Sequence, residues 1–229
     1  MAVLMPHSAF IHVPKTGGTW CREAIKVAGI PHHESGPDVK RKITRGHASV
    51  KQAYDTICMR DWTKGDKAPV KRLIFGFVRN PLNWLESRWA DALRKYGGVA
   101  SHDINIEWFG VVFSRDFSVY AERAATIDPS VPSRAMFNRL GFNRKGGMWT
   151  PQEHTCGEIG QNEHLTEDLI RILKKAGEKF NPDKIRAVKP QRVASRLSRF
   201  KRQIVWTDAQ REKIYEANEY LCATYGYTL

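Results

Sequence analysis

No run in this chain approaches the ~20 consecutive apolar residues that a membrane-spanning helix requires, so no such helix is expected. Met1 to Ser8 carry neither the basic start nor the long apolar core of a secretory signal. Cysteine is scarce. The four residues, Cys21, Cys58, Cys156 and Cys222, are scattered and form no CxxC pair, which excludes a disulfide framework and a zinc module of the usual spacing. With Met1 taken as the native start, reduced thiols in a cytoplasmic protein are the expectation. Internal repeats and low-complexity tracts are missing. Acidic residues are few, 24 against 37 lysines and arginines, and no acidic ligand cluster suggests a metal.

What is present is a basic chain of 229 residues with a formal net charge of +13. Such an excess favours anionic partners: a nucleotide, an acidic glycan, nucleic acid or an anionic surface. A solvated basic face with no single ligand satisfies the same charge. Hydrophobic residues make up 41% and are spread along the chain, enough to bury a core in one domain spanning residues 1–229.

Ala9-Phe10-Ile11-His12-Val13 is short, apolar and closed by Pro14, and is expected to be a buried strand. Thr19 to Ala28 follows as a helix, with Gly29 placed to stop it. Arg72 to Val78 (RLIFGFV) is a second strand, and Pro81 opens a helix to about Lys95. A short helix is expected near Val50 to Ile57, and short helices and loops between Ser101 and Glu158. A further helix runs from Leu165 to Ala176, with Thr166 as N-cap and Gly177 as stop. Thr207-x-x-Gln210 is a capping-box pattern opening a last helix that Gly226 ends. Alternating strands and helices, with wholly apolar strands, predict an α/β domain: a central parallel sheet flanked by helices, with a P-loop-like strand-turn-helix at its start.

Pro14-Lys15-Thr16-Gly17-Gly18-Thr19-Trp20 lies between that first strand and helix. Such a turn presents backbone N–H groups at a helix N-terminus, where the dipole favours an anion. Gly17 and Gly18 let the backbone approach the anion, Thr16 and Thr19 add hydroxyls, and Lys15 adds a mobile charge. The Walker A pattern is different: its lysine follows the second glycine, whereas Lys15 precedes both, and no Ser or Thr follows a Gly-Lys pair to hold Mg²⁺. An ordinary strand-to-helix turn is the plainer reading.

Phe77-Val78-Arg79-Asn80-Pro81 ends the second strand, and Ser87 falls eight residues after Arg79, two turns into the next helix. The C-terminal ends of strands are where open α/β sheets bind ligands. A guanidinium with a hydroxyl suits a second phosphate; a surface ion pair would explain Arg79 equally well.

Taken together, FIHVPKTGGT and FVRNPxxxxxS resemble the sulfotransferases that use 3′-phosphoadenosine-5′-phosphosulfate (PAPS), in particular the carbohydrate and Golgi-type branch and its bacterial relatives. The segment from Ile159 to Leu169 is similar to the family's later strand, ending in Gly-x-x-Glu-x-Leu-x-x-Asp, and the aromatic C-terminal helix ending at Tyr225-Gly226-Tyr227 also fits. The resemblance implies the sulfotransferase fold. It implies transfer of a sulfuryl group from PAPS to an acceptor hydroxyl, on a glycan or glycolipid, with release of adenosine-3′,5′-bisphosphate. Lys15, Thr16, Gly17, Gly18, Thr19 and Trp20 would surround the 5′ group, and Arg79 and Ser87 the 3′-phosphate. No metal is implied, since lysine and backbone donors would meet the leaving charge.

For the base, His47 in Thr44-Arg45-Gly46-His47-Ala48 lies between the two motifs, and Gly-His at this place resembles a segment of glycan-modifying relatives in which a histidine is the base. A neutral fraction at physiological pH suits that task. A loop histidine held by backbone groups is the plain alternative, and Glu34 is another candidate base. His12 is expected to be a hydrogen-bonded interior residue, and Glu163 to be structural. Arg144-Lys145-Gly146-Gly147-Met148-Trp149 is expected to form an acceptor-side lid with a stacking Trp149, and Trp108 also has the look of an exposed ring. Lys189, Arg192, Arg196, Arg199, Lys201 and Arg202 read as a solvated face that could instead reach an anion. Two other function classes fit part of the pattern. A P-loop phosphotransferase accounts for the first turn, and a non-catalytic polyanion binder for the charge; no established DNA- or RNA-binding signature is present.

Overall fold

The computed structural model describes residues 2–35, 50–51, 72–96, 103–104, 113–145, 148–189 and 201–229. His47, Trp108, the expected helix beyond Lys51, Gly146-Gly147 and the basic run at 190–200 lie outside the described residues. The chain is α/β, and it falls into two compact units, Met1–Val78 with Met136–Pro190 and Arg79–Ala135 with Gln191–Leu229.

The first unit is built on a five-stranded sheet. Its strands are β1 (Ala2–Leu4), β2 (Ser8–Ile11), β3 (His33–Ser35), β4 (Leu73–Val78) and, after a long excursion of chain, Glu158–Gln161. In space the order is β3, β1, β2, β4 and then that last strand. β2 pairs in parallel with β4, and β4 in parallel with Glu158–Gln161, whereas β1 is antiparallel to both β2 and β3. The sheet is therefore mixed where a parallel one was expected. The physical reason is local: Met5 to His7 bridge β1 and β2 too briefly for a crossover, so a hairpin is forced. Ala2 to Leu4 are fully buried, and this strand had no signal of its own in a segment only three residues long.

Helix α1 (Gly18–Val27) packs Trp20, Cys21, Ala24 and Ile25 into one cluster with Phe10, Phe75 and Phe77 of the sheet. Phe10 and Phe75 meet at a tilt, 5.5 Å between ring centroids, and Phe75 meets Phe77 edge-on at 6.2 Å. Gly29, with φ of +73°, ends α1 as expected.

The second unit begins with α2 (Pro81–Tyr96), which starts at Pro81 as the sequence indicates. A two-stranded ladder follows, β5 (Asp103–Ile104) with β6 (Phe113–Ser114), then α3 (Phe117–Thr126), whose N-cap Asp116 accepts from Ser118 N–H. The chain continues into α4 (Val131–Leu140), within which the unit boundary falls. Phe117 is the hub of this unit's core, meeting Trp89 and Trp206 edge-on at 5.1 Å each. Buried indoles need acceptors, and they have them: Trp89 Nε1 donates to Ser114 O at 2.9 Å and Trp206 Nε1 to Glu86 Oε1 at 3.0 Å.

Back in the first unit, β7 (Phe142–Lys145) and β8 (Met148–Pro151) form an antiparallel hairpin, followed by β9, the sheet strand Glu158–Gln161. A single 3₁₀ turn, Asn162–His164, leads into α5 (Leu165–Lys175) and then α6 (Pro182–Arg186). His164, not Thr166, occupies the N-cap of α5, while Gly177 stops it with φ of +79°. The last helical segment is two helices, α7 (Asp208–Ala217) and α8 (Glu219–Tyr225), where one was expected. The capping box of Thr207 and Gln210 is formed. The break sits at Asn218, which is buried: its amide donates to Pro129 O and Ile214 O, and its Oδ1 accepts from Ser133 N–H at 2.9 Å. Tertiary hydrogen bonds to α4 and its approach outcompete helix continuity there. Among the described residues no helix is long and apolar enough to cross a membrane.

Candidate functional site

Three parallel strands, β2, β4 and β9, run side by side, so their C-terminal ends share one edge of the first unit's sheet. After β2 the chain does not enter its helix directly. His12 and Val13 leave the sheet, and residues 14–17 form a tight turn. Lys15 adopts φ of +68°, the left-handed region that costs a residue with a Cβ roughly 1–2 kcal/mol. Gly17, the N-cap of α1, follows in the same region at φ +87°. Two left-handed residues flanking Thr16 turn the chain sharply ahead of α1.

The side chains of this turn have divided duties. The Thr16 hydroxyl is buried and donates to Val13 O at 3.0 Å, closing the turn on itself. Trp20 is core: its ring is 5% exposed and its Nε1 donates to Val188 O at 3.1 Å, beyond the end of α6. Its ring is committed to that anchor, so only the backbone of residue 20 faces the helix start. Thr19 is exposed and Lys15 half-exposed, so these two side chains can meet a ligand in solvent.

α1 has no side-chain cap and no acidic residue in its first turn. The amides of Gly18, Thr19 and Trp20 have no intrahelical acceptor, by the geometry of any helix start. They carry the positive end of the helix dipole with no acidic residue in the first turn to offset it.

Gly17 is favoured by its positive φ and Gly18 by close packing. A Cβ on Gly17 would come 2.5 Å from Leu165 Cδ2 and 2.7 Å from Asn162 Nδ2. A Cβ on Gly18 would come 2.0 Å from His12 Cδ2. His12 thus sits just past β2, its ring stacked near Phe10 at 6.3 Å and pressed against the helix start. Asn162 opens the 3₁₀ turn after β9 and Leu165 is the first residue of α5, so the segment that leaves β9, two strands away from β2, braces the turn.

The pattern in that connection also acquires reasons. Gly160 has no room for a side chain, since a Cβ would meet the Phe77 ring at 2.5 Å and Asp168 at 3.1 Å. Asp168 Oδ2 accepts from Gln161 N–H at 2.7 Å and Oδ1 from Arg171. Glu163 is exposed. The sequence flagged this segment as a motif but did not reveal that Asn162 and Leu165 touch Gly17, since spacing along the chain carries no such information.

Arg79 is the residue that follows β4 in the chain and belongs to the second unit. Its guanidinium lies near Glu86, which it helps hold in the charged form together with Arg211. Burial works the other way and is the larger effect, so the Glu86 carboxyl is pushed above its ordinary value despite the hydrogen bond from Trp206. Asn80 Oδ1 accepts from Leu82 and Asn83 N–H at 3.0 and 3.3 Å, and its Nδ2 donates to the Tyr215 hydroxyl at 2.8 Å. The start of α2 is therefore already capped by its own side chain, and an anion there would depend on the guanidinium. Ser87 is 3% exposed.

Of the remaining candidates, Glu34 holds Arg22 in a bidentate pair at 2.9 and 2.7 Å, which occupies both carboxylate oxygens and leaves it poorly placed as a base. Trp149 is a correction. It is 6% exposed, not a solvent-facing stacking ring, because the hairpin turns it inward onto Phe137 at 5.0 Å. Cys21 and Cys156 are free, buried thiols whose surroundings push them far above the ordinary range. Thiolate chemistry is disfavoured at both.

No family model matches the chain, and no curated protein and no solved structure shows significant similarity to it.

Proposed function

We propose that this chain is a sulfotransferase, transferring the sulfuryl group of PAPS to an acceptor hydroxyl and releasing adenosine-3′,5′-bisphosphate. The observation that carries the reading is the β2-turn-α1 unit. A left-handed Lys15 and Gly17 curl the backbone before a helix whose first turn has neither a side-chain cap nor an acidic residue. That arrangement fits a phosphate-like anion, and the displaced lysine fits it better than a Mg²⁺-nucleotide loop. In this reading the chain is one sulfotransferase-fold domain of P-loop-like type, located in the cytoplasm.

Sulfuryl transfer, like phosphoryl transfer, asks mainly for alignment and charge stabilisation. The acceptor oxygen attacks sulfur in line, and its proton passes to a base, assigned to His47. The bond from sulfur to the 5′-phosphate oxygen breaks, and the charge left on that oxygen is met by the Lys15 ammonium and the amides of Gly18 and Thr19. Arg79 pairs with the 3′-phosphate, with Ser87 as the hydroxyl donor of that segment. The acceptor is a hydroxyl on a glycan or glycolipid, and no metal takes part.

Thermal shifts test this directly, because a ligand that prefers the native state raises its apparent stability. Adenosine-3′,5′-bisphosphate without metal is expected to raise the melting temperature more than ATP with Mg²⁺ or a single-stranded oligonucleotide. A larger shift from ATP that requires Mg²⁺ would replace this reading with a phosphotransferase, and a shift from the oligonucleotide alone would replace it with a polyanion binder.

A further inference from the structure

The β7–β8 hairpin has two unlike faces. Register pairs Arg144 with Trp149 and Phe142 with Pro151, and on that side Phe142 and Trp149 pack against Phe137 at 5.4 and 5.0 Å. Register also pairs Asn143 with Thr150 and Lys145 with Met148, which places these four on the opposite face; Asn143, Thr150 and Lys145 of that face line the cleft, and Met148 does not. The apolar side is a staple. The polar side forms a wall of a cleft of about 420 Å³ within the first unit.

The lining of that cleft is mixed, with polar groups somewhat in excess of apolar ones. Lys145 and Lys51 supply two ammonium groups, and Asn143, Thr150, Gln152 and His154 supply donors and acceptors. Glu153 and Pro151 complete it. The hairpin wall is prearranged: the Gln152 side-chain amide donates to Asn143 Oδ1, Gln152 N–H donates to Gly141 O at 2.8 Å, and Thr150 Oγ1 donates to Asn143 O at 3.3 Å. Gly141, at φ +85°, leaves room for the His154 carbonyl, which lies 2.2 Å from where a Cβ would be, so the segment 152–154 after β8 runs against the base of the hairpin.

We propose that this cleft binds an acidic saccharide unit. A volume near 420 Å³ is that of a small-molecule site, for which ~300–1,000 Å³ is typical. Two cations beside amides and hydroxyls suit a sulfate or carboxylate on a ring that carries hydroxyl groups, and the apolar part of the lining suits that ring's carbon faces. Glu153 accepts from such hydroxyls, and a single carboxylate does not cancel two ammoniums. On the sulfotransferase reading, on which this assignment of role rests, the bound unit is part of the acceptor. The hairpin, lysines and cleft stand apart from the turn at residues 14–19 in sequence, so the two sites can be tested separately.

The experiment is isothermal titration of the 229-residue chain with a sulfated, uronate-containing disaccharide and with a neutral disaccharide of equal size. Adenosine-3′,5′-bisphosphate is titrated in parallel. Binding of the acidic disaccharide is expected, weakened about 3–10-fold by Lys145→Gln and by Lys51→Gln, each of which removes one charged contact. Both lysines are exposed, and unchanged circular dichroism and bisphosphate affinity in the variants establish that they fold. Equal affinity for the neutral disaccharide, no binding of the acidic one, or lysine variants that bind as well as the parent would each overturn the proposal. Loss of bisphosphate binding alone would overturn the transferase reading and leave the saccharide site standing.

Discussion

The imidazole of His12 occupies the space into which a side chain at residue 18 would project: a Cβ there would lie 2.0 Å from Cδ2 and 2.4 Å from Nε2. Gly18→Ala must therefore displace either the ring or the start of α1. Overpacking of this kind costs ~1–3 kcal/mol. Gly18→Ala is expected to lower the melting temperature and weaken bisphosphate binding, and His12→Ala in the same chain should recover much of both. If the double variant is no better than the single one, the clash is not what makes glycine necessary.

Lys15 combines a strained backbone with a charged side chain, and two substitutions separate them. Lys15→Gly removes the charge and relieves the left-handed strain, whereas Lys15→Ala removes only the charge. The glycine variant is expected to be more stable by ~1 kcal/mol. Both should slow turnover with little change in bisphosphate affinity, because the ammonium acts on charge that develops in the transition state. Equal melting temperatures would contradict the strain, and undiminished turnover the catalytic role.

Arg79→Ala and His47→Ala should fail in different ways. The first is expected to weaken bisphosphate binding about tenfold or more, as loss of a charged pair to phosphate does. The second should reduce turnover ~10²-fold or more while bisphosphate affinity holds. Bisphosphate affinity unchanged by Arg79→Ala would remove that residue from the nucleotide site, and full activity of His47→Ala would move the base elsewhere.

Glu86 supplies a pH test. Burial raises its pKa above the ordinary 4.5. The stability gained from its neutral form is thus fully present below 4.5 and is lost as pH rises through the folded value. Glu86→Gln cannot ionise and retains an oxygen to accept from Trp206. Melting temperatures measured from pH 4 to 7 should show the variant gaining on the parent as pH rises. Glu158 contributes the opposite trend, since Lys175 and Arg171 lower its pKa, but it does so in both proteins and cancels in the difference. A gap that stays constant or shrinks with pH would refute the assignment.

Local signals carried much of the architecture. Uninterrupted apolar runs marked β2 and β4, Pro81 marked the start of α2, the Thr207–Gln210 pair marked that of α7, and Gly29, Gly177 and Gly226 marked three helix ends. In the candidate site, the glycines after Lys15 announced a close backbone approach. Each of these features is decided by residues within a few positions of one another, where sterics and capping act without help from the rest of the fold.

Other features depended on partners far away in the chain. The antiparallel placement of β1 came from pairing with β2 and β3, and the break at Asn218 from hydrogen bonds to Pro129 and Ser133. Trp149 turned inward because Phe137 is there to receive it, and Trp20 joined the core because Val188 offers its indole an acceptor. The bracing of Gly17 by Asn162 and Leu165, and of Gly18 by His12, likewise arose only on folding. Residue order determined where the backbone could turn and which segments could be strand or helix. Burial, hydrogen-bond pairing and close packing across long sequence separations decided which side chains remain exposed to a ligand, because those energies exist only once distant segments meet.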